Sequence, residues 1–264
     1  MIKSFAYFLE VTMENILSNQ YIQKFLSLYD DITINWKLLC IVAGLLILAH
    51  FGRNLPFVNV VYTLMSFIPT LVHELGHAVM TSITRGHVND IHIMLTPKGI
   101  EKTGSKGYAE TQPNGYISDI LITFSGYIAP PLLYYWGIHC VKETHTIWFI
   151  LTLAILGIYY FVKSSQKWLP ILLFIFLIMS GFEFNQLPIH DLPHYLYSGY
   201  SIFLGLLLGE MILTLIITTQ LAFKSKDKEW DGQALSNKTF IPSKVWWVIW
   251  TFIILTVIFS TIHV

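Results

Sequence analysis

Apolar residues in this chain come in long runs separated by charged stretches. The runs fall at approximately 34–51, 57–84, 117–140, 146–162, 168–183, 197–222 and 245–263. A helix needs about 20 apolar residues to cross a bilayer, so the pattern predicts an all-α polytopic membrane protein with about seven transmembrane helices. The runs 146–162 and 168–183 are short and would form a tight or tilted hairpin. Residues 1–31 mix apolar positions with Lys3, Glu10, Glu14, Lys24, Asp30 and Asp31, without an unbroken apolar core or a small-residue cleavage site. That stretch is read as an amphipathic interfacial segment rather than a cleavable signal peptide. Residues 32–264 are read as a single transmembrane domain.

The longest polar interval, 85–115, follows the second run. Residues 88–95 alternate in part and carry valine, isoleucine and leucine, while Pro97, Gly99, Gly104 and Gly107 supply turns. A small β-hairpin against the membrane face is expected there. The interval 223–244, with Lys224, Lys226, Asp227, Lys228, Glu229 and Asp231, reads as a solvated loop.

Composition agrees with a membrane protein. The chain is 54% hydrophobic and 12% charged, with a mean hydropathy of +0.59, whereas a soluble domain carries about 25% charged residues. Net charge is zero, so nothing points to nucleic acid. Cys40 and Cys140 lack metal-site spacing and are read as packing residues. With seven spans, all Lys and Arg except Arg53 and Lys142 fall on one side. Because cytoplasmic loops carry the excess of basic residues, the N-terminus and the hairpin are expected in the cytoplasm.

One stretch of the second run carries chemistry. His73 and His77 are four residues apart and project from one face of a helix, with Glu74 between them in sequence. This H-E-x-x-H pattern suits zinc hydrolysis: two imidazoles bind the ion, and the glutamate takes a proton from its water. Ionisable groups at membrane depth are costly and usually functional, which weighs against a merely packed pair of histidines. Glu210, deep in the run 197–222, is a second such acid, read first as a hydrogen-bonded helix contact and second as a partner of a metal-bound histidine. His87 and His92 read as polar strand residues.

A third ligand is required. The stretch Asn185 to Tyr195 contains His190, Asp191 and His194 between Pro188 and Pro193. Irregular backbone of this kind is tolerated at membrane depth where it lines a cavity. An extended segment covering residues 184–191 would descend about 25 Å. In the run 117–140, Ser125, Gly126 and Ala129 read as small packing residues, and Pro130 and Pro131 should bend the helix.

These residues resemble the site-2 protease family of intramembrane zinc metalloproteases, in the form of a compact bacterial-type member without a PDZ domain. His73-Glu74-Leu75-Gly76-His77-Ala78 resembles the family's zinc helix, and the loop from Gly86 to Gly107 resembles the hairpin that follows it. Asn185-x-x-Pro188-x-x-Asp191 resembles the family's Asn-x-x-Pro motif leading to a Leu-Asp-Gly aspartate, with a shorter spacing, His190 before the acid and Leu192 after it. The family-like core covers 57–222.

The resemblance implies a zinc metalloendopeptidase that hydrolyses peptide bonds of membrane-embedded substrates. Zn2+ would be held by His73, His77 and Asp191, with His190 or His194 as alternatives to Asp191, and Glu74 would be catalytic. Asn185 and Gly126 are candidate substrate-binding residues. A helical substrate would unwind and pair as a strand with the hairpin. The expected setting is a multi-pass protein of a bacterial plasma membrane. The competing class is an ion or metal transporter, or a non-catalytic zinc-binding membrane protein; transporters usually show paired repeats, and none is evident here.

Overall fold

The computed structural model describes residues 32–168, 171, 192–224 and 230–262. The interfacial segment 1–31 and nearly all of the span 168–183 lie outside the described residues. Helix α1 spans Trp36–Gly52, followed by α2 (Pro56–Met65) and α3 (Phe67–Ile83). Strand β1 (His87–Ile93), helix α4 (Pro97–Thr103) and strand β2 (Gly107–Gln112) come next. Then follow α5 (Tyr116–Ser125), α6 (Ala129–Lys142), α7 (Thr146–Lys163), α8 (Leu192–Lys224), α9 (Asp231–Thr239) and α10 (Ser243–Ile262).

Among the described residues, three helices are long and apolar enough to cross a membrane: α7, α8 over Tyr195–Lys224, and α10. The bent pairs α2/α3 and α5/α6, with angles of 44° and 59°, bring the number to five if each pair is one span. The shorter α1 is also apolar. These elements fall on six of the seven predicted stretches. The bend between α5 and α6 matches the expectation from Pro130 and Pro131, which sit in the first turn of α6, where helical N–H groups have no partner to lose.

Helix α1 shows why this chain belongs in lipid. Leu39, Val42, Ala43 and Leu46, at the i, i+3, i+4, i+7 spacing, are buried, while Ile41, Leu45 and Leu48 on the other face are exposed. Both faces are equally apolar, as a bilayer allows and water does not. The chain is a multi-pass membrane protein. Inside the bundle, α1 packs on α8 through small residues. A Cβ on Gly205 would stand 2.7 Å from the Leu39 carbonyl oxygen, and one on Gly209 would stand 3.1 Å from Ala43 Cα. Helices in a bilayer gain mainly by close packing, so glycines at such contacts let the backbones meet.

The predicted hairpin is present. β1 pairs antiparallel with β2, Ile91 facing Ala109 and Ile93 facing Gly107, with an irregularity between Val88 and Asp90. Val88, Ile91 and Ile93 are buried against Leu71, Leu75 and Ala78 of α3 and Tyr160 of α7. The outer edge of β1 is occupied by the turn after α7. Asp90 accepts hydrogen bonds from the Ser165 N–H and hydroxyl, both at 2.7 Å, and the Ile93 N–H donates to Gln166 Oε1 at 2.9 Å. Burial pushes the Asp90 carboxyl up, but these two bonds outweigh it and hold it below the usual carboxylate range.

The interval 85–115 thus meets the turn 163–167. A second contact joins α9 to α5, where Lys238 Nζ lies 2.7 Å from Asp119 Oδ1. The interval 223–244 is not only a solvated loop: it contains α9, with Gly232 and Leu235 buried.

Candidate metal centre

Helix α3 restarts after the break at Ser66 and carries the buried Glu74 between the half-buried His73 and His77. The imidazoles are edge to face, with Nε2 atoms 3.2 Å apart. His77 Nδ1 is 2.7 Å from the Ile122 carbonyl oxygen. A carbonyl only accepts, so Nδ1 carries the proton and Nε2 of the neutral ring presents a lone pair. Ile122 is placed for this because α5 ends at Ser125: the last four carbonyls of a helix have no intrahelical partner. Ser125 closes the same corner, donating its hydroxyl to the Gly76 and Ile122 carbonyl oxygens.

Two glycines make this corner possible. A Cβ on Gly76 would stand 2.7 Å from the Ala129 Cβ and 2.8 Å from the Ser125 carbonyl oxygen. A Cβ on Gly126 would stand 2.5 Å from His77 Cε1 and 2.8 Å from His73 Cε1. Gly126 has ordinary helical angles, so space and not backbone conformation demands glycine there. Its place is against the imidazoles, at the candidate centre.

The residue that completes the group is Asp231, the first residue of α9. Its Oδ2 lies 3.3 Å from His73 Nε2 and 3.5 Å from His77 Nε2. That oxygen is enclosed and accepts no hydrogen bond. A carboxyl group is ionised at neutral pH, so this oxygen belongs to an anion. Among the described residues, His73, His77 and Asp231 form the one group of such side chains positioned to hold a metal ion.

The donor set fits zinc. Four-coordinate zinc with bonds of about 2.0–2.1 Å places its donor atoms about 3.3 Å apart on a tetrahedron. The three donor separations here are 3.2, 3.3 and 3.5 Å. With both imidazoles neutral, their Nε2 atoms and the carboxylate oxygen stand close enough together to share one metal ion.

Around the group, Tyr127 packs edge to face on His73 with ring centroids 4.8 Å apart, and Trp230 and Trp250 continue this aromatic wall. Gly232 lets the chain fold Trp230 back over it; a Cβ there would stand 2.5 Å from Trp230 Cζ3. Glu74 is buried and lines the same cavity of about 730 Å³. The Ala109 backbone amide on β2 is within hydrogen-bonding reach of its carboxyl. Lys106, Gly107, Tyr108 and Thr111 line that cavity too, so β2 and not β1 faces the centre.

Of the residues singled out in the sequence, the structure brings together His73, Glu74, His77 and Gly126. Asn185, His190, Asp191 and the side chain of His194 lie outside the described residues. Glu210 pairs with neither histidine: its Oε1 is 3.7 Å from Lys106 Nζ, in an ion pair between α8 and the hairpin. His92 stacks on Tyr108 and hydrogen-bonds Gln166, away from the centre. Asp231 carried a usable signal, because Asp231-Gly232 is the acid–glycine pair of the Leu-Asp-Gly pattern, with Trp230 in place of leucine.

Residues 38–261 match the protein family described as Peptidase M50B-like. The match runs beyond the stretch 57–222 and takes in Asp231. No curated protein and no solved structure matches the chain. With nearly its whole length covered, the chain belongs to the Peptidase M50B-like family, and so to the site-2 proteases.

Proposed function

We propose that the chain is an intramembrane zinc endopeptidase that hydrolyses peptide bonds of membrane-embedded protein segments. The observation that carries this reading is the convergence of His73 Nε2, His77 Nε2 and Asp231 Oδ2 beside the buried Glu74. His73, His77 and Asp231 would hold zinc; we take Asp231 for the role that the resemblance alone assigns to Asp191. When bound, zinc supplies Lewis acidity, lowering the pKa of water to about 7 and polarising the substrate carbonyl. Glu74 takes the proton from the attacking water and delivers it to the leaving amide nitrogen. His77 is held in register for this by Ile122, and Gly126 keeps the space above the two rings clear.

The substrate would lie along β2. Lys106 bonds towards β1, because its carbonyl oxygen accepts from the Met94 N–H. Alternation then turns the backbone groups of Gly107, Ala109 and Thr111 outward, consistent with the Ala109 amide near Glu74. An unwound peptide pairing with that edge would have its carbonyls fixed beside the centre, and would exchange the hydrogen bonds of its helix for those of a strand. In this reading the hairpin, the centre and the N-terminus share the cytoplasmic side of a bacterial plasma membrane, as the basic residues predict.

Glu74→Gln tests the proposal on purified protein. Cleavage of a membrane-embedded substrate should fall at least ~100-fold while zinc content stays at wild-type level. Wild-type cleavage by the variant would reject the assignment.

A further inference from the structure

We infer that Lys238 is a positioning residue for the metal centre: it latches α9 onto α5 and so presents Asp231 to His73 and His77. The inference rests on reading Asp231 as the third ligand. α9 has nine residues and a polar composition, and only Gly232 and Leu235 in it are buried. A helix this short is marginal by itself and must be held by its contacts. Asp231, Leu235 and Lys238 stand at i, i+4 and i+7, one stripe about 10 Å long on the face turned to the bundle.

Lys238 closes the far end of that stripe with three polar contacts. Its ammonium donates to Asp119 Oδ1 at 2.7 Å and to Thr123 Oγ1 at 2.8 Å, and the Tyr116 hydroxyl donates to the Lys238 carbonyl oxygen at 2.6 Å. Tyr116, Asp119 and Thr123 all belong to α5, and Asp119 and Thr123 are neighbours on it, one turn apart. The same helix supplies the Ile122 carbonyl that orients His77, and Gly126 at its end backs onto both imidazoles. α5 is thus a common jig for two ligands that are remote in sequence. It fixes His77 directly, and it fixes Asp231 through Lys238. An isolated exposed ion pair adds little, but here one ammonium is held by two acceptors and its own backbone is tied down.

The latch also opens to the cavity. Asp119, Thr123 and Lys238 line it, and the Lys238 and Asp119 side chains are 29% and 33% exposed. Whatever enters the cavity meets the groups that hold the third ligand in place.

The test is zinc affinity of the full-length protein in detergent, measured by competition with a chromophoric chelator. Removal of an outer-shell partner typically weakens metal binding 10–100-fold, and that loss is expected for Lys238→Met. Lys238→Arg, which can keep both acceptors, should bind zinc like wild type. The reversed pair Asp119→Lys with Lys238→Asp should recover most of the affinity lost by Lys238→Met. Wild-type affinity in Lys238→Met, or no recovery in the reversed pair, would overturn the latch. His77→Ala is the separate control: should it retain zinc, the metal centre itself fails, whatever Lys238 does.

Discussion

Gly126 lies flat against the imidazole of His77, so close that a Cβ would stand 2.5 Å from Cε1. Alanine is a better helix former than glycine by about 1 kcal/mol, and Gly126 has helical angles, so Gly126→Ala should not harm the fold through its backbone. Its methyl group would instead push the two rings apart. Zinc content, measured by mass spectrometry of the purified variant, should fall at least ~10-fold, with a melting temperature near wild type. Full zinc loading would show that the rings do not depend on this contact.

Asp231 and Asp191 make opposite predictions. Asp231→Ala removes an anionic oxygen 3.3 Å from His73 Nε2 and should abolish stoichiometric zinc. Asp191→Ala should leave zinc binding unchanged. The reverse result would return the third position to the stretch after Pro188.

The β2 edge is open to a directional test. Proline is tolerated in a strand where its missing N–H faces outward, and disrupts one where the N–H joins the ladder. Thr111→Pro should therefore preserve folding and zinc while abolishing substrate cleavage. Glu110→Pro, whose amide turns towards β1, should destabilise the hairpin. Unimpaired cleavage by Thr111→Pro would exclude strand pairing along this edge.

The Lys106–Glu210 pair calls for a double-mutant comparison. Glu210→Gln leaves the Lys106 ammonium half-buried without its counter-charge, at 3.7 Å in the parent protein. A loss of about 1–2 kcal/mol is expected in thermal unfolding, less than for a fully buried pair. Combining it with Lys106→Met should recover much of that loss. Additive losses would mean that the two side chains act independently.

Asp90 supplies a pH dependence. Its carboxyl is lowered in the folded protein by the Ser165 bonds. A depressed carboxylate contributes stability that is complete above its unfolded value of about 3.9, and that contribution is lost as pH falls through the folded value. Wild-type stability should decline below about pH 4 more steeply than that of Ser165→Ala, in which the acid is less depressed. Parallel curves would place the acid sensitivity elsewhere.

Much of this architecture was legible from apolar runs and turn residues. The long apolar helices and the hairpin fall on those stretches, and the H-E-x-x-H spacing leads directly to the paired imidazoles. The break at Ser66 has a signal that the length of the apolar run outweighs: Pro69, in the first turn of α3, has no N–H to bond the Met65 carbonyl and continue α2. The acid–glycine signal of Asp231-Gly232 is outweighed by its setting. Its neighbours Asp227, Lys228 and Glu229 are charged, so local composition argued for water, whereas its environment is set by histidines far back in the chain. Gly126 read as packing because space, not backbone angle, requires it there, and the groups that need the space lie on another helix.

The cavity at the paired imidazoles is walled on one side by the hairpin, whose Gly104 and Ser105 are exposed at the polar end of the bundle. Hydrolysis consumes one solvent molecule per cut and leaves a carboxylate and an amine, none of which crosses hydrocarbon readily. On the proposed reading, that wall would give water a way in and the products a way out alongside β2, so the lipid-facing surfaces of the helices would need to admit only the apolar polypeptide itself.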